Sequence, residues 1–171
     1  MRSQHSLLWP PGADACATDL WQRGLSLYYV GRYGDGAQQF RDDVAVNPND
    51  TEESIWALLC EARLEGFEAA QKKLLKVGRD GRPVMRAAYE LFGGVGTMEA
   101  LQAAAQGGPH DLFYSTLYQA LYWEAKGETA KAREAMLAAT RSEYGAGSGD
   151  YMAALAKVHA VRRIADGTWL A

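Results

Sequence analysis

One internal cysteine is the side chain in this sequence best suited to act as a nucleophile. Cys60 could attack a substrate carbonyl if His110 or His159 lay within hydrogen-bond distance to take its proton. Its neighbours along the chain are mostly Ala and Leu, a setting typical of an inert, buried thiol. We therefore predict that the protein is not an enzyme. The alternative is a hydrolase-like or small-ligand-binding protein with a pocket around Cys60.

The spacing of histidines and carboxylates does not predict a metal site. His5, His110 and His159 are far apart in the sequence, and no His-x-x-His or Glu-x-x-His pair places two ligands on one helical face. The acidic pairs at residues 42–43 and 52–53 are neighbours that point about 100° apart on a helix. We interpret them as solvated faces and helix caps. No metal, cofactor or catalytic group is predicted.

Phosphate-binding features are weak. The turn Gly-Gly-Val-Gly-Thr at residues 93–97 lacks a preceding strand and a following lysine, so we interpret it as a connection between helices. Basic residues gather between positions 72 and 86, but no aromatic side chains alternate with them to stack on bases. With 18 Lys and Arg against 21 Asp and Glu, the chain has a net charge of −3 and no general attraction to phosphate backbones. No nucleic-acid partner is expected.

Uncharged stretches are too short for a membrane span, which needs about 20 apolar residues. Residues 1–16 contain one Arg, a short apolar patch and Pro-Pro-Gly, and we interpret them as a flexible N-terminal arm. Cys16 and Cys60 form no Cys-x-x-Cys pair, which permits a reducing compartment. We expect a soluble protein, cytoplasmic or organellar.

Apolar periodicity predicts helices along most of residues 17–171. Apolar residues recur three and four positions apart, and glycine or proline interrupts each run. The predicted helices cover about residues 17–30, 35–46, 51–64, 69–77, 84–92, 98–105, 111–125, 128–140 and 149–165. Asp50 and Glu53 have the spacing of a capping box at the start of the third. Residues 17–171 are therefore predicted to form a single all-α domain of helical hairpins.

The hairpins repeat at about 34 residues, and this repeat resembles the tetratricopeptide repeat (TPR). The first unit is similar through Trp21, Gly24, Gly31, Tyr33, Phe40 and Pro48, the second through Trp56, Gly66, Phe67, Ala70 and Leu74, and the fourth through Ala120, Gly127, Ala132, Met136 and Ala139. The third helical pair, residues 84–106, keeps little of the pattern. The resemblance implies an α-solenoid of antiparallel helical hairpins, a right-handed superhelix with a C-terminal capping helix.

In such an array the first helix of each pair lines a concave groove, which is the binding surface. The residues that this register turns into the groove are Trp21, Leu25, Tyr28, Tyr29, Glu52, Arg63, Tyr114 and Glu124. Tyr29 is expected to be the most exposed aromatic residue among them. We therefore predict a scaffold or adaptor that holds a peptide or helical segment of a protein partner, for example during assembly of a complex.

Residues 21–45 and 47–61 are also similar to TPR-like proteins of photosynthetic eukaryotes. In that group, helical scaffolds of this kind often serve the assembly of larger complexes. The resemblance implies a plastid as one location for the protein.

Overall fold

A computed structural model describes residues 20–169; the predicted N-terminal arm and Cys16 lie outside the described residues. In this range the chain forms ten α-helices and no strand, so the predicted all-α class is confirmed. The helices are α1 (Trp21–Tyr29), α2 (Tyr33–Val46), α3 (Thr51–Glu65), α4 (Phe67–Gln71), α5 (Pro83–Phe92), α6 (Met98–Ala103), α7 (Pro109–Ala125), α8 (Thr129–Arg141), α9 (Glu143–Gly147) and α10 (Tyr151–Ala165). From residue 20 to residue 169, no helix is long and apolar enough to cross a bilayer.

The second hairpin is shorter than its sequence pattern predicts. Helix α4 ends at Gln71, whereas periodicity predicts a helix as far as residue 77. The Leu75 carbonyl instead accepts hydrogen bonds from the hydroxyls of Ser54 (2.8 Å) and Tyr89 (3.0 Å). These bonds to side chains of α3 and α5 replace the helical ones. Residues 72–82 therefore form an irregular connection across the surface.

The predicted capping box of α3 forms only in part. The Asp50 carboxylate accepts a hydrogen bond from the backbone N–H of Glu53 at 3.0 Å, as a helix N-cap should. The Glu53 side chain is buried and makes no return bond to Asp50. The prediction is therefore correct for Asp50 and wrong for Glu53.

A close contact between α1 and α2 explains two of the repeat-like residues. A Cβ atom added to Gly24 would lie 2.6 Å from the Phe40 ring, so only glycine allows this approach without a shift. The ring is 1% exposed and stacks near Trp56 of α3, with centroids 6.4 Å apart. Gly24, together with the rings of Phe40 and Trp56, thus allows α1, α2 and α3 to pack closely.

Helix α10 is the element that departs most from the expected arrangement. It packs on α8, and its first turn brings Tyr151 to Trp21 of α1, with ring centroids 4.6 Å apart. Near its other end, Arg162 donates a hydrogen bond to the Tyr29 carbonyl at 2.9 Å. The helix therefore reaches from the last hairpin back to the first.

We expect Phe40→Ala to lower the free energy of unfolding by about 3–5 kcal/mol, because truncation leaves a cavity between α1, α2 and α3. Urea denaturation followed by circular dichroism measures the change. The control is Val46→Ala, at a side chain that is 70% exposed. Equal midpoints for the two variants would contradict the packing described for Phe40.

Candidate functional site

The eight residues predicted for the groove lie in two clusters. One cluster lines a pocket and contains Trp21, Leu25, Glu52 and Tyr114. The other surrounds the buried carboxylate of Glu124 and contains Tyr28, Tyr29 and Arg63. Leu25, Tyr28 and Tyr114 are fully buried, and Tyr29, expected to be exposed, is half-buried. The concave groove remains a prediction. Helix α10 contacts several of these residues, through Tyr151 to Trp21, His159 to Tyr29 and Arg163 to Glu124.

The carboxylate at the centre of the second cluster belongs to Glu124 of α7. Arg163 of α10 donates from Nη2 to its Oε1 atom at 2.7 Å and from Nε to its Oε2 atom at 3.1 Å. The two side chains are only 9% and 8% exposed, so the pair is shielded from water. Two parallel charge-assisted bonds of this kind fix the relative orientation of both groups. They tie α10 to α7.

His159 extends the cluster to α1. Its Nε2 atom lies 2.8 Å from Glu124 Oε2, and its Nδ1 atom lies 2.8 Å from the Tyr29 hydroxyl. Because an ionised carboxylate only accepts hydrogen bonds, Nε2 carries the proton. We call Tyr28, Tyr29, Glu124, His159 and Arg163 the Glu124 cluster.

Electrostatics keep the central carboxylate charged. Burial by itself raises the pKa of Glu124, but the hydrogen bonds and charges of His159 and Arg163 outweigh it and hold that pKa at about 2. Burial, with the Glu124 charge next, raises the pKa of Tyr28, which stays neutral. Arg63 lies at the edge, 3.9 Å from the carboxylate and above the Tyr33 ring. A cluster so fully paired serves to hold helices together.

His159 and Arg163 were not predicted as site residues. They lie four positions apart on α10 and so share one helical face, a signal that is present in the sequence. What periodicity could not show is the buried carboxylate that this face meets. That carboxylate lies 39 positions before Arg163 in the chain.

The other cluster surrounds a pocket of about 250 Å³. We call it the aromatic–acidic pocket because most of its lining is aromatic or carboxylate. The lining residues are Trp21, Leu25, Phe40, Asp50, Glu52, Glu53, Trp56, Tyr114, Asp150, Tyr151 and Met152. They come from α1, α2, α3, α7, α10 and the turns that precede α3 and α10.

Three of its four carboxylates already have partners. Asp50 caps α3. Glu52 accepts a hydrogen bond from Arg82 Nη1 at 2.8 Å. Asp150 accepts from the Tyr114 hydroxyl at 3.0 Å and also caps α10. These carboxylates are held in place by the fold.

Glu53 is the exception. Its side chain is buried, and within residues 20–169 its Oε2 atom has no hydrogen-bond partner. The buried indole nitrogen of Trp56, one helical turn further on, is also without one in that range. Burial, followed by the charges of Asp50 and Asp43, raises the pKa of Glu53 to about 8. Two unsatisfied polar atoms thus lie in residues that line one pocket.

The acidic pairs are therefore not simply solvated faces and caps. Asp42 is exposed, as expected, but Asp43 is buried and accepts a hydrogen bond from Gln39 at 2.9 Å. In the second pair, Glu52 is bound to Arg82 and Glu53 is buried. Across the part of the chain that the structure describes, no three His, Cys, Asp or Glu side chains come together as they would around a metal ion.

The structure does not favour the alternative site around Cys60. The thiol is fully buried, and burial raises its pKa to about 12, so it stays protonated. Both histidines considered as its base have other partners. His110 Nδ1 lies 2.8 Å from Asp111, and His159 belongs to the Glu124 cluster.

A second concave surface runs between α1 and α10. This α1/α10 trough has a volume of about 440 Å³. It is lined by Leu25, Ser26, Tyr29, Val30, Tyr151, Ala154, Leu155, Val158 and Arg162. Val30 and Val158 are 66% and 51% exposed. Leu25 and Tyr151 also line the aromatic–acidic pocket, so the two cavities adjoin.

We expect Glu124→Gln to lower the free energy of unfolding by about 3–5 kcal/mol, because it leaves Arg163 buried without its counter-ion. Chemical denaturation at pH 7 measures the change. Glu128→Gln is the control, since that exposed carboxylate pairs with exposed Lys131 and contributes under about 1 kcal/mol. Equal losses in both variants would show that Glu124 does not tie α10 in place.

Glu53→Gln should instead stabilise the protein at alkaline pH. The pKa of Glu53 is raised from 4.5 to about 8 on folding, so its contribution to stability is complete below pH 4.5 and is lost as the pH rises through 8. We expect the variant to exceed wild type by on the order of 2 kcal/mol at pH 9 and to match it near pH 4.5. Thermal melting across this pH range tests the expectation. A variant less stable than wild type at pH 9 would contradict it.

Comparison with known proteins adds no relative to this picture. No protein-family model, curated protein or solved structure matches the chain.

Proposed function

We propose that this chain is a binding protein that holds a helical segment of a protein partner in the α1/α10 trough. The observation that carries the proposal is a row of apolar residues left exposed along α10 beside α1. Large apolar side chains grouped on a surface often mark interaction sites, because covering them removes apolar area from water. The role agrees with the scaffold or adaptor expected from the sequence, with the site moved from the concave groove to the trough.

The spacing of the row favours a helical partner. Tyr151, Ala154 and Val158 line the trough, and Val161 continues the row beyond it at 66% exposure. Their positions follow steps of three, four and three residues, which is the seam along which two helices pack. Amphipathic helices bind in grooves through side chains at this same spacing. A helix with a complementary apolar stripe is therefore the proposed occupant.

Helix α1 supplies the opposite wall and the end of the trough. Leu25, Tyr29 and Val30 form its apolar side, and the guanidinium of exposed Arg162 lies at the polar rim. A rim cation of this kind selects an acidic residue at the matching end of a partner helix, with more effect on orientation than on affinity. Leu25 and Tyr29 are thus the two predicted groove residues that keep a binding role in the trough.

The proposal includes no catalytic step and no cofactor. It keeps the TPR-like solenoid as a hypothesis for the helical hairpins, supported by the Gly24–Phe40 contact and by the close packing of α7 on α8. In that hypothesis, α10 takes the place in the array that a bound peptide would otherwise occupy. The trough beside it is then the surface left for a partner.

The test places a photo-cross-linking amino acid at position 158 and identifies the partner segment attached to it. We expect an amphipathic helical segment, and we expect Val158→Asp to weaken its binding at least about tenfold, because a charge would be buried against apolar side chains. Val95→Asp is the matched control, since Val95 is 84% exposed and lies outside the trough.

The free energy of unfolding of both Asp variants should lie within about 0.5 kcal/mol of the wild-type value, because both positions are exposed. A cross-linked segment without helical apolar spacing would overturn the proposal. So would binding that survives Val158→Asp, or a second copy of this chain as the attached molecule.

A further inference from the structure

We infer that the aromatic–acidic pocket receives a basic side chain, lysine or arginine, projecting from the partner helix in the α1/α10 trough. This inference rests on the proposed function and names the chemistry of its specificity. The pocket and the trough adjoin at Leu25 and Tyr151, so a helix in the trough lies beside the pocket.

The composition of the walls selects a cation. Five of the lining side chains are aromatic, and the faces of such rings attract ammonium and guanidinium groups. Four more are carboxylates, of which Glu52 is neutralised by Arg82. Asp50 and Asp150 form no ion pair with a lysine, arginine or histidine anywhere in residues 20–169. The pocket therefore carries an excess of negative charge.

Two of the four buried side-chain atoms that lack a hydrogen-bond partner in residues 20–169 belong to residues that line this pocket. Leaving a buried polar atom without a hydrogen bond is costly, and native proteins contain few such atoms. Glu53 and Trp56 are 9% and 2% exposed, and each has one in the range 20–169. An ammonium or guanidinium group supplies the hydrogen-bond donor that Oε2 of the ionised Glu53 carboxylate requires.

The size of the pocket favours a single side chain. About 250 Å³ is below the roughly 300–1,000 Å³ of pockets that enclose drug-sized ligands. A lysine or arginine has an apolar stem that can lie along Trp21 and Met152, with its charged end at the carboxylates. In this inference, contact with the basic side chain is the role of three predicted groove residues, Trp21, Glu52 and Tyr114.

The pocket is tested on the full chain with n-butylammonium as the probe and 1-pentanol as its neutral analogue of similar shape. Binding is followed through the indole ¹H–¹⁵N resonance of Trp56, assigned by its loss in Trp56→Phe. We expect butylammonium to shift this resonance and pentanol to shift it little. Glu53→Gln should weaken butylammonium binding at least about tenfold. Glu99→Gln, an exposed carboxylate on α6, should leave it unchanged.

Val158→Asp separates the two proposals, because it should abolish binding of the partner helix and leave butylammonium binding intact. Equal shifts with pentanol and butylammonium, or unchanged affinity in Glu53→Gln, would overturn the cation pocket whatever the trough binds. In the cross-linked segment, replacing the basic residue by norleucine should also weaken binding about tenfold. If it does not, although butylammonium binds, the pocket takes a small free amine and the partner side chain is excluded.

Discussion

The buried carboxylate of Glu124 holds the last helix against the first, and the other surfaces of the protein depend on that contact. Arg163 and His159 both form hydrogen bonds with it, and the other ring nitrogen of His159 is hydrogen-bonded to Tyr29. The charges are shielded from water, so each group depends on the others for its solvation. Breaking one contact would leave the rest uncompensated. Helix α10 is therefore held in one position and orientation.

Fixing α10 creates both cavities that we consider functional. Its outward edge forms one wall of the trough, and its first turn, from Asp150 to Met152, closes one side of the aromatic–acidic pocket. Trp21 of α1 meets Tyr151 at the junction. The same helix thus lines both cavities, and the residues proposed for binding also help to dock it.

The two clusters differ in whether their buried polar groups have hydrogen-bond partners. Around Glu124 every charge has a partner, which is the pattern expected where the purpose is to fix structure. Around Glu53 a carboxylate and an indole N–H are buried without partners among the described residues, which lowers stability. Buried polar groups without partners are expected chiefly at functional sites. The contrast separates a structural cluster from a candidate binding pocket a short distance away.

Local sequence signals determined the helices, the Asp50 cap and the glycine and proline breaks, because periodicity and capping act within a few residues. They also predicted that eight side chains of α1, α3 and α7 face one groove. Tertiary structure decided the rest. Residues 72–77, predicted to be helical, form no helix, and the hydroxyls of Ser54 in α3 and Tyr89 in α5 donate hydrogen bonds to the Leu75 carbonyl. The pairing of Glu124 with Arg163 joins helices separated by 39 positions, and no local pattern encodes such a distance. Whether Tyr28 and Tyr114 face a groove or a core depended on where α10 docks, and that is set by a buried ion pair rather than by helical spacing.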